Sequence, residues 1–355
     1  MSATIAKETG SVDVSQEMRI SSDSHIIEPV DLWEKQMPAS QSDQVPKFSA
    51  DRGDNKPGGE DPKERVNEMA TDGVSAEVLY PTKGLRLYAM EDAEAQEAAF
   101  RIGNDWMAEY CAGAPGRLWG IPMISCYNIP NAIKELERCK AMGLKGAMIW
   151  QVPPEHLRFT GDHYEDLWAA AQDLDMPVNL HILSGFNYSR FSGSGTVSPV
   201  DAYRNSVNTK VHDAITSVFD LIFTGAMDRY PALKFVLVEN ELGWIPFVMH
   251  QWDRYVHRFG PTGRRPIPIS ELPSFYVNRQ VYTTFIDDLP GGYSIPVWGE
   301  NNCMWSNDYP HGASTWPNSD EIIRRDLGHL DTDTFRKVVR GNVTKLYNLP
   351  AVARI

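Results

Sequence analysis

Asp23, Ser24 and His25 close the alternating stretch Met18-Arg19-Ile20-Ser21-Ser22. On an extended strand residues i and i+2 point to one face, so Asp23 and His25 aim a carboxylate and an imidazole at the same place. That pairing suits a divalent ion that takes mixed nitrogen and oxygen ligands. The triplet alone is equally well explained by a capped turn. Its weight comes from three further ligand types that end later strand-like runs. These are His181 after Val178-Asn179-Leu180, Glu239 after Val236-Leu237-Val238, and Asp308 in Trp305-Ser306-Asn307-Asp308.

Each of these has a plainer reading beside the chemical one. A lone His181 after an apolar strand is ordinarily a hydrogen-bonded core residue. Asp308 before Tyr309-Pro310 fits an Asx-turn, yet an aspartate there can also bind a metal or move protons for bound water. His311, three residues on, is either a turn histidine or a ligand to a second ion or to substrate. A carboxylate that ends a fully apolar strand is costly unless paired or metal-bound, which singles out Glu239. By alternation Glu241 faces the same way, so one glutamate is read as a ligand and the other as its support. Glu28 is added as a helper because it follows the first pair in Ile26-Ile27-Glu28-Pro29. Lys145 precedes its strand, so a carbamylated bridging lysine is not expected from it. His156, His163, His212, His250, His257 and His329 fall in loops or helices and are read as structural.

The elements that must position these groups alternate along the chain. Strand-like runs are read at 74–80, 118–124, 146–150, 177–182, 235–238, 281–285 and 303–305. Helical spacing is read at 91–111, 129–142, 163–174, 214–230, 243–259, 320–330 and 333–347. Such alternation calls for parallel strands with helical crossovers, and about eight of them close naturally into a barrel. No Gly-x-Gly-x-x-Gly turn supports an open doubly wound sheet. The expectation is an α/β fold, a distorted (β/α)8 TIM barrel over residues 18–350, after a flexible tail over 1–17. Two polar loops, 36–61 and 183–210, are inserted into it; the second is read as a lid that follows His181.

With 355 residues and 42% hydrophobic content, the chain can bury a large core. Its 34 basic and 47 acidic residues leave a net charge of −13, which disfavours nucleic acid or an anionic membrane as partner. Cys111, Cys126, Cys139 and Cys303 are scattered without metal or redox spacing and read as free thiols in a reducing, cytoplasmic setting. No signal-peptide core and no apolar run long enough to span a bilayer is present in the sequence.

Taken together, Asp-Ser-His-Ile-Ile-Glu-Pro at 23–29, Gly-Leu-Lys-Gly-Ala at 143–147 and Pro-Val-Asn-Leu-His at 177–181 form a familiar series. Arg-Tyr-Pro-Ala-Leu-Lys at 229–234, Glu-Leu-Gly-Trp-Ile-Pro at 241–246, Ser-Asn-Asp-Tyr-Pro-His at 306–311 and Gly-Asn-Val-Thr-Lys-Leu-Tyr at 341–347 extend it. The set resembles the amidohydrolase-related family across nearly the whole chain. The resemblance implies a metal at the strand C-termini and carries its ligand positions onto Asp23, His25, His181 and Asp308. Two departures stand out: Asp23 replaces the usual His or Glu, and Glu239 stands where the family's decarboxylases usually carry His. That carboxylate-rich set is similar to a branch of dinuclear non-haem oxygenases that includes the 2-aminoisobutyrate hydroxylase.

The leading expectation is therefore an Fe and/or Mn enzyme with two ions, which uses dioxygen to hydroxylate a small amino or carboxylic acid. Glu239 and His311 would help to hold the second ion. A mononuclear Zn- or Mn-dependent decarboxylase or hydrolase of a small carboxylate, with Asp308 as proton carrier, is the alternative. A non-catalytic barrel subunit is the third reading, and a homo- or hetero-oligomer with a homologous barrel is expected with any of them.

Overall fold

The computed structural model describes residues 12–49, 56–185, 198–204, 208–260 and 266–355. Eight parallel strands lie at its centre: β1 (Arg19–Ile26), β2 (Val74–Pro81), β3 (Leu118–Gly120), β4 (Ala147–Val152), β5 (Val178–Gly185), β6 (Phe235–Val238), β7 (Val281–Phe285) and β8 (Cys303–Trp305). Hydrogen bonding groups them as β1-β2-β3 and β4-β5-β6-β7-β8. Strands covered on both faces read as continuous apolar runs, as Phe235–Val238 and Val281–Phe285 do.

Two seams close the ring without a regular ladder. Between β3 and β4, Met148 donates to Pro122 O and Ile124 donates to Met148 O, each at 2.8 Å. Between β8 and β1, Ser22 Oγ donates to the carbonyls of Met304 (3.2 Å) and Trp305 (2.9 Å). His25 N then donates to Tyr309 O at 2.6 Å, and Asp308 N to Asp23 O at 3.1 Å. The last strand is thus fastened to the first by a side chain and by loop amides. This is the expected barrel, distorted at its seams.

The structure corrects several boundaries. The helix read over 214–230 is two helices, Lys210–Phe223 and Ala226–Arg229. Gly225 breaks it in a left-handed conformation (φ 77°), where a Cβ would meet Pro268 O at 2.4 Å. The closing helix is divided into Thr332–Arg336, a π-helical turn over Lys337–Gly341, and Asn342–Leu346. The strand read over 118–124 ends at Gly120, since Pro122 has no N–H to continue a ladder. Residues 1–11 of the expected tail lie outside the described residues, and Val12 and Val14 are already buried in the core. In the two inserted loops, residues 50–55, 186–197 and 205–207 also lie outside them, which covers most of the expected lid. Among the described residues no helix is long and apolar enough to cross a membrane, and all four cysteines are free.

One helix that the periodicity did not reveal, Pro62–Asp72, carries the clamp that holds the seam. Asp61 caps it by accepting from Lys63 N, and Gly73 ends it in the left-handed region. From its first turns the fully buried Arg65 reaches into the barrel rim. Its Nε pairs with Glu77 on β2 at 2.5 Å, and Nη1 donates to the carbonyls of His25 (2.7 Å) and Gly58 (3.2 Å). Its guanidinium also stacks 4.3 Å from the Tyr309 ring centroid. One side chain therefore ties β1, β2 and the chain after β8 together.

Removing one partner of such a buried pair leaves the other charge uncompensated. Arg65→Met should lower the unfolding free energy by about 3–5 kcal/mol in urea titrations. A loss under about 1 kcal/mol, the range of exposed ion pairs, would show that the clamp does not hold the rim.

Candidate metal centre

The C-terminal rim of the barrel gathers the residues expected from the sequence. Asp23 and His25 lie near the end of β1, where a register shift between Ser21 and Ser24 marks a local irregularity. His181 lies within β5 opposite Val238, and Asp308 follows β8 with φ 53°. All four are almost completely buried.

The tautomers follow from the hydrogen bonds. His25 Nδ1 sits 2.9 Å from Pro81 O, and His181 Nδ1 sits 2.7 Å from Ile182 O. A carbonyl only accepts, so both Nδ1 atoms carry protons and both Nε2 atoms offer lone pairs. Those lone pairs face each other at 3.2 Å. Burial pushes both imidazoles down, His181 to about 3, so neither relieves the encounter by protonation.

The carboxylates add to the strain. Asp23 Oδ1 lies 3.6 Å from His25 Nε2 and 3.8 Å from His181 Nε2, and Asp308 Oδ1 lies 3.6 Å from His25 Nε2. Asp23 Oδ1 and Asp308 Oδ2 are buried with no hydrogen-bond partner. Burial, together with the charges of Asp308 and Glu239, raises the Asp23 carboxyl well above its ordinary range. Neighbouring ligands on one ion with bonds of about 2.1 Å lie about 3.0–3.4 Å apart. Orphaned acceptors at these spacings fit a divalent cation, with Asp23, His25 and His181 as one group and His25, Asp308 and His311 as an overlapping one.

Both groups use the same atom, His25 Nε2, since Nδ1 is taken by Pro81. One imidazole lone pair serves one ion. His311 is only partly buried; its Nδ1 lies 2.8 Å from Asp308 Oδ1 and its Nε2 3.1 Å from Thr82 Oγ1. The chain Asp308–His311–Thr82 thus leads from the centre toward solvent.

Glu239 falls outside both groups. The strand ends at Val238, and Glu239 and Glu241 both adopt positive φ (60° and 55°), so the alternation assumed for them does not apply. Burial and the charge of Asp308 raise Glu239 to about 8, and burial raises Glu241 to about 7. Glu28, expected as a helper, instead accepts the backbone N–H groups of Thr82, Lys83 and Gly84 and pins that turn.

Sequence reasoning missed three contributors. Thr284 Oγ1 donates to Asp23 Oδ2 at 3.2 Å and accepts from Glu239 N at 2.8 Å. Tyr80 supports both imidazoles, with ring centroids 5.2 Å from His181 and 6.2 Å from His25. Its hydroxyl is held by Asn179 Oδ1 at 2.8 Å. Thr82 completes the relay. All three lie at or just beyond strand C-termini, which was the available signal.

Comparison with known proteins bears on this centre. An amidohydrolase family model matches residues 22–349. Gamma-resorcylate decarboxylase from Polaromonas is 25% identical over 302 residues, covering 80% of this chain and 86% of that protein. Decarboxylase orsB from Emericella nidulans is 29% identical over 180 residues, which is 49% of this chain and 54% of that one. Among solved structures, 5-carboxyvanillate decarboxylase LigW from Sphingomonas paucimobilis superposes with a TM-score of 0.72 at 24% identity, covering 94% and 99% of the two chains. A dihydroxybenzoic acid decarboxylase from Polaromonas, solved with bound manganese and 2-nitroresorcinol, gives 0.68 at 19% identity over 94% and 98%.

These findings overturn the oxygenase expectation, because the relatives are decarboxylases. The physical reason for the misreading is visible at Glu239. It was read as a ligand by strand alternation, whereas its positive φ takes it off that alternation and it falls in neither ligand group.

Two measurements test the centre. His181→Ala should weaken metal binding by more than roughly 100-fold, since losing even an outer hydrogen-bond partner of a ligand costs about 10–100-fold. Retention of wild-type metal content in purified H181A would remove His181 from the ligand set. The second concerns pH. A buried acid with a raised folded value binds more protons folded than unfolded, so its contribution to stability falls as pH rises between the two values. Asp23, Glu239 and Glu241 act in this direction, for Glu239 between about 4.5 and 8. A cation offsets that loss, so the gain in Tm on adding Mn(II) should grow from pH 5.5 to pH 8. A gain that is flat or shrinks with pH contradicts the assignment.

Proposed function

The chain belongs to the amidohydrolase family, and from that footing we propose that it is a mononuclear, Mn-dependent decarboxylase of a small aromatic carboxylate. The observation that carries the reading is the position of Asp308. Its Oδ1 lies 3.6 Å from the His25 Nε2 lone pair and is linked to the partly buried His311, while its Oδ2 has no hydrogen-bond partner. Asp23, His25, His181 and Asp308 would hold the ion, which when bound supplies Lewis acidity that orients an oxygen-bearing substrate.

The rest of the work falls to the protein. Non-oxidative decarboxylation needs a proton on the ring carbon that bears the carboxylate; the C–C bond then breaks toward the ring and CO2 leaves. Asp308 Oδ2 is the free oxygen from which that proton is given. His311 resupplies it through Nδ1, and Thr82 Oγ1 fixes the far side of the imidazole at 3.1 Å. The protons on the two Nδ1 atoms stay with Pro81 and Ile182, which keeps His25 and His181 out of the proton traffic. Among the second readings, a silent barrel has no use for a complete ligand set with orphaned buried oxygens.

Under argon, the Mn(II)-loaded protein should release CO2 from 2,6-dihydroxybenzoate or a related ortho-hydroxybenzoate and leave the free arene. At matched metal content, Asp308→Asn should slow this by about 10²–10⁴-fold, the range for a positioned acid–base group. A metal-replete wild type that is inert toward a panel of ortho-hydroxybenzoates would sink the decarboxylase reading.

A further inference from the structure

Three Lys and Arg residues are buried among the described residues: Arg19, Arg65 and Lys83. Arg19 meets Asp320 at 3.1 Å, and Arg65 meets Glu77 at 2.5 Å. Lys83 is 3% exposed, with no ion pair or side-chain hydrogen bond to its ammonium among the described residues. That ammonium is not one of the fully buried unpartnered atoms, so it keeps a narrow opening. Burying an ammonium without a partner is costly, so an unpaired buried lysine is rarely retained without an anion to meet.

Its place in the fold says where that anion comes from. Lys83 follows the C-terminal end of β2, on the rim that carries the centre. The residue before it, Thr82, reaches His311 Nε2 at 3.1 Å, and the one before that, Pro81, holds His25 Nδ1 at 2.9 Å. The turn itself is fixed, because Glu28 accepts from Thr82 N (3.3 Å), Lys83 N (2.9 Å) and Gly84 N (3.0 Å). Glu28 is therefore spent on backbone amides. Burial raises its carboxyl, and the Lys83 charge opposes that only from beyond contact distance.

Charge balance points the same way. Before His311 passes Asp308 the proton it delivers, a divalent ion held by ionised Asp23 and Asp308 is neutral overall, so an entering carboxylate finds no net positive charge in the ligand set. We propose that Lys83 is the cationic anchor for an anionic group of the substrate, so that this site selects carboxylate-bearing arenes over uncharged analogues of the same shape. The inference deepens the decarboxylase reading by naming the residue that recognises its substrate class, and it rests on that reading for the carboxylate.

The test uses binding rather than turnover. Salicylate and salicylamide are titrated calorimetrically into Mn(II)-loaded wild type, Lys83→Gln and Lys83→Arg, with metal content counted in each. Wild type should prefer salicylate by about 10- to 100-fold, the worth of a hydrogen bond to a charged group. K83Q should lose that preference through weaker salicylate binding, with salicylamide unchanged, and K83R should keep part of it. An unchanged preference in K83Q, no preference in wild type, or loss of metal from K83Q each overturns the assignment. Charge discrimination that depends on Lys83 without CO2 release would sink the decarboxylation and leave the anchor standing; CO2 release without such discrimination would do the reverse.

Discussion

The imidazole lone pairs of His25 and His181 face each other at 3.2 Å at the end of the barrel, with Asp23 Oδ1 near both and Asp308 Oδ1 near His25. That repulsion is the constraint around which the site is organised. Each histidine is locked by a carbonyl at Nδ1, so neither can rotate away. Burial denies both rings a proton, so neither can become the missing cation. A divalent cation bound there would relieve the repulsion, as a proton on Asp23 does where burial pushes its carboxyl up.

Holding the arrangement requires stiffness where the barrel is weakest. The seam between β8 and β1 has no ladder, yet Asp308 and Asp23 sit on either side of it. Arg65 answers this by donating to the His25 carbonyl while it pairs with Glu77 and stacks on Tyr309. Tyr80 and Thr284 act from below and beside, the first against the imidazole rings and the second on Asp23 Oδ2. Ligand placement is thus set by neighbours that lie outside both candidate ligand groups.

Much of this was legible in the sequence. Asp23, His25, His181 and Asp308 could be read because strands announce themselves by apolar runs, and a polar ligand type at a strand end breaks the pattern. The barrel followed from alternation alone. Glu239 was read without its backbone: a positive φ takes it off the alternation assumed for it, and it falls in neither ligand group among the described residues. Arg65 was invisible, since its helix buries little apolar surface and shows weak periodicity. Lys83 carried no signal either, because a lysine after a strand looks like any solvated one until its burial is known. The break at Gly225 and the π-helical turn at Lys337–Gly341 escaped notice for a related reason: periodicity persists across a short interruption.

The division of the barrel into a three-stranded and a five-stranded sheet has a consequence for its breathing motions. Asp23 and His25 belong to the smaller sheet, while His181 and Asp308 belong to or follow the larger. Without an ion, the two sheets are joined by the irregular seams and by contacts through the shared core, such as Tyr80 on β2 with Asn179 on β5 at 2.8 Å. An ion shared between the two sheets acts as a further cross-link. Filling the centre would then slow amide exchange along β1 and onward into β2, which carries none of the four ligands.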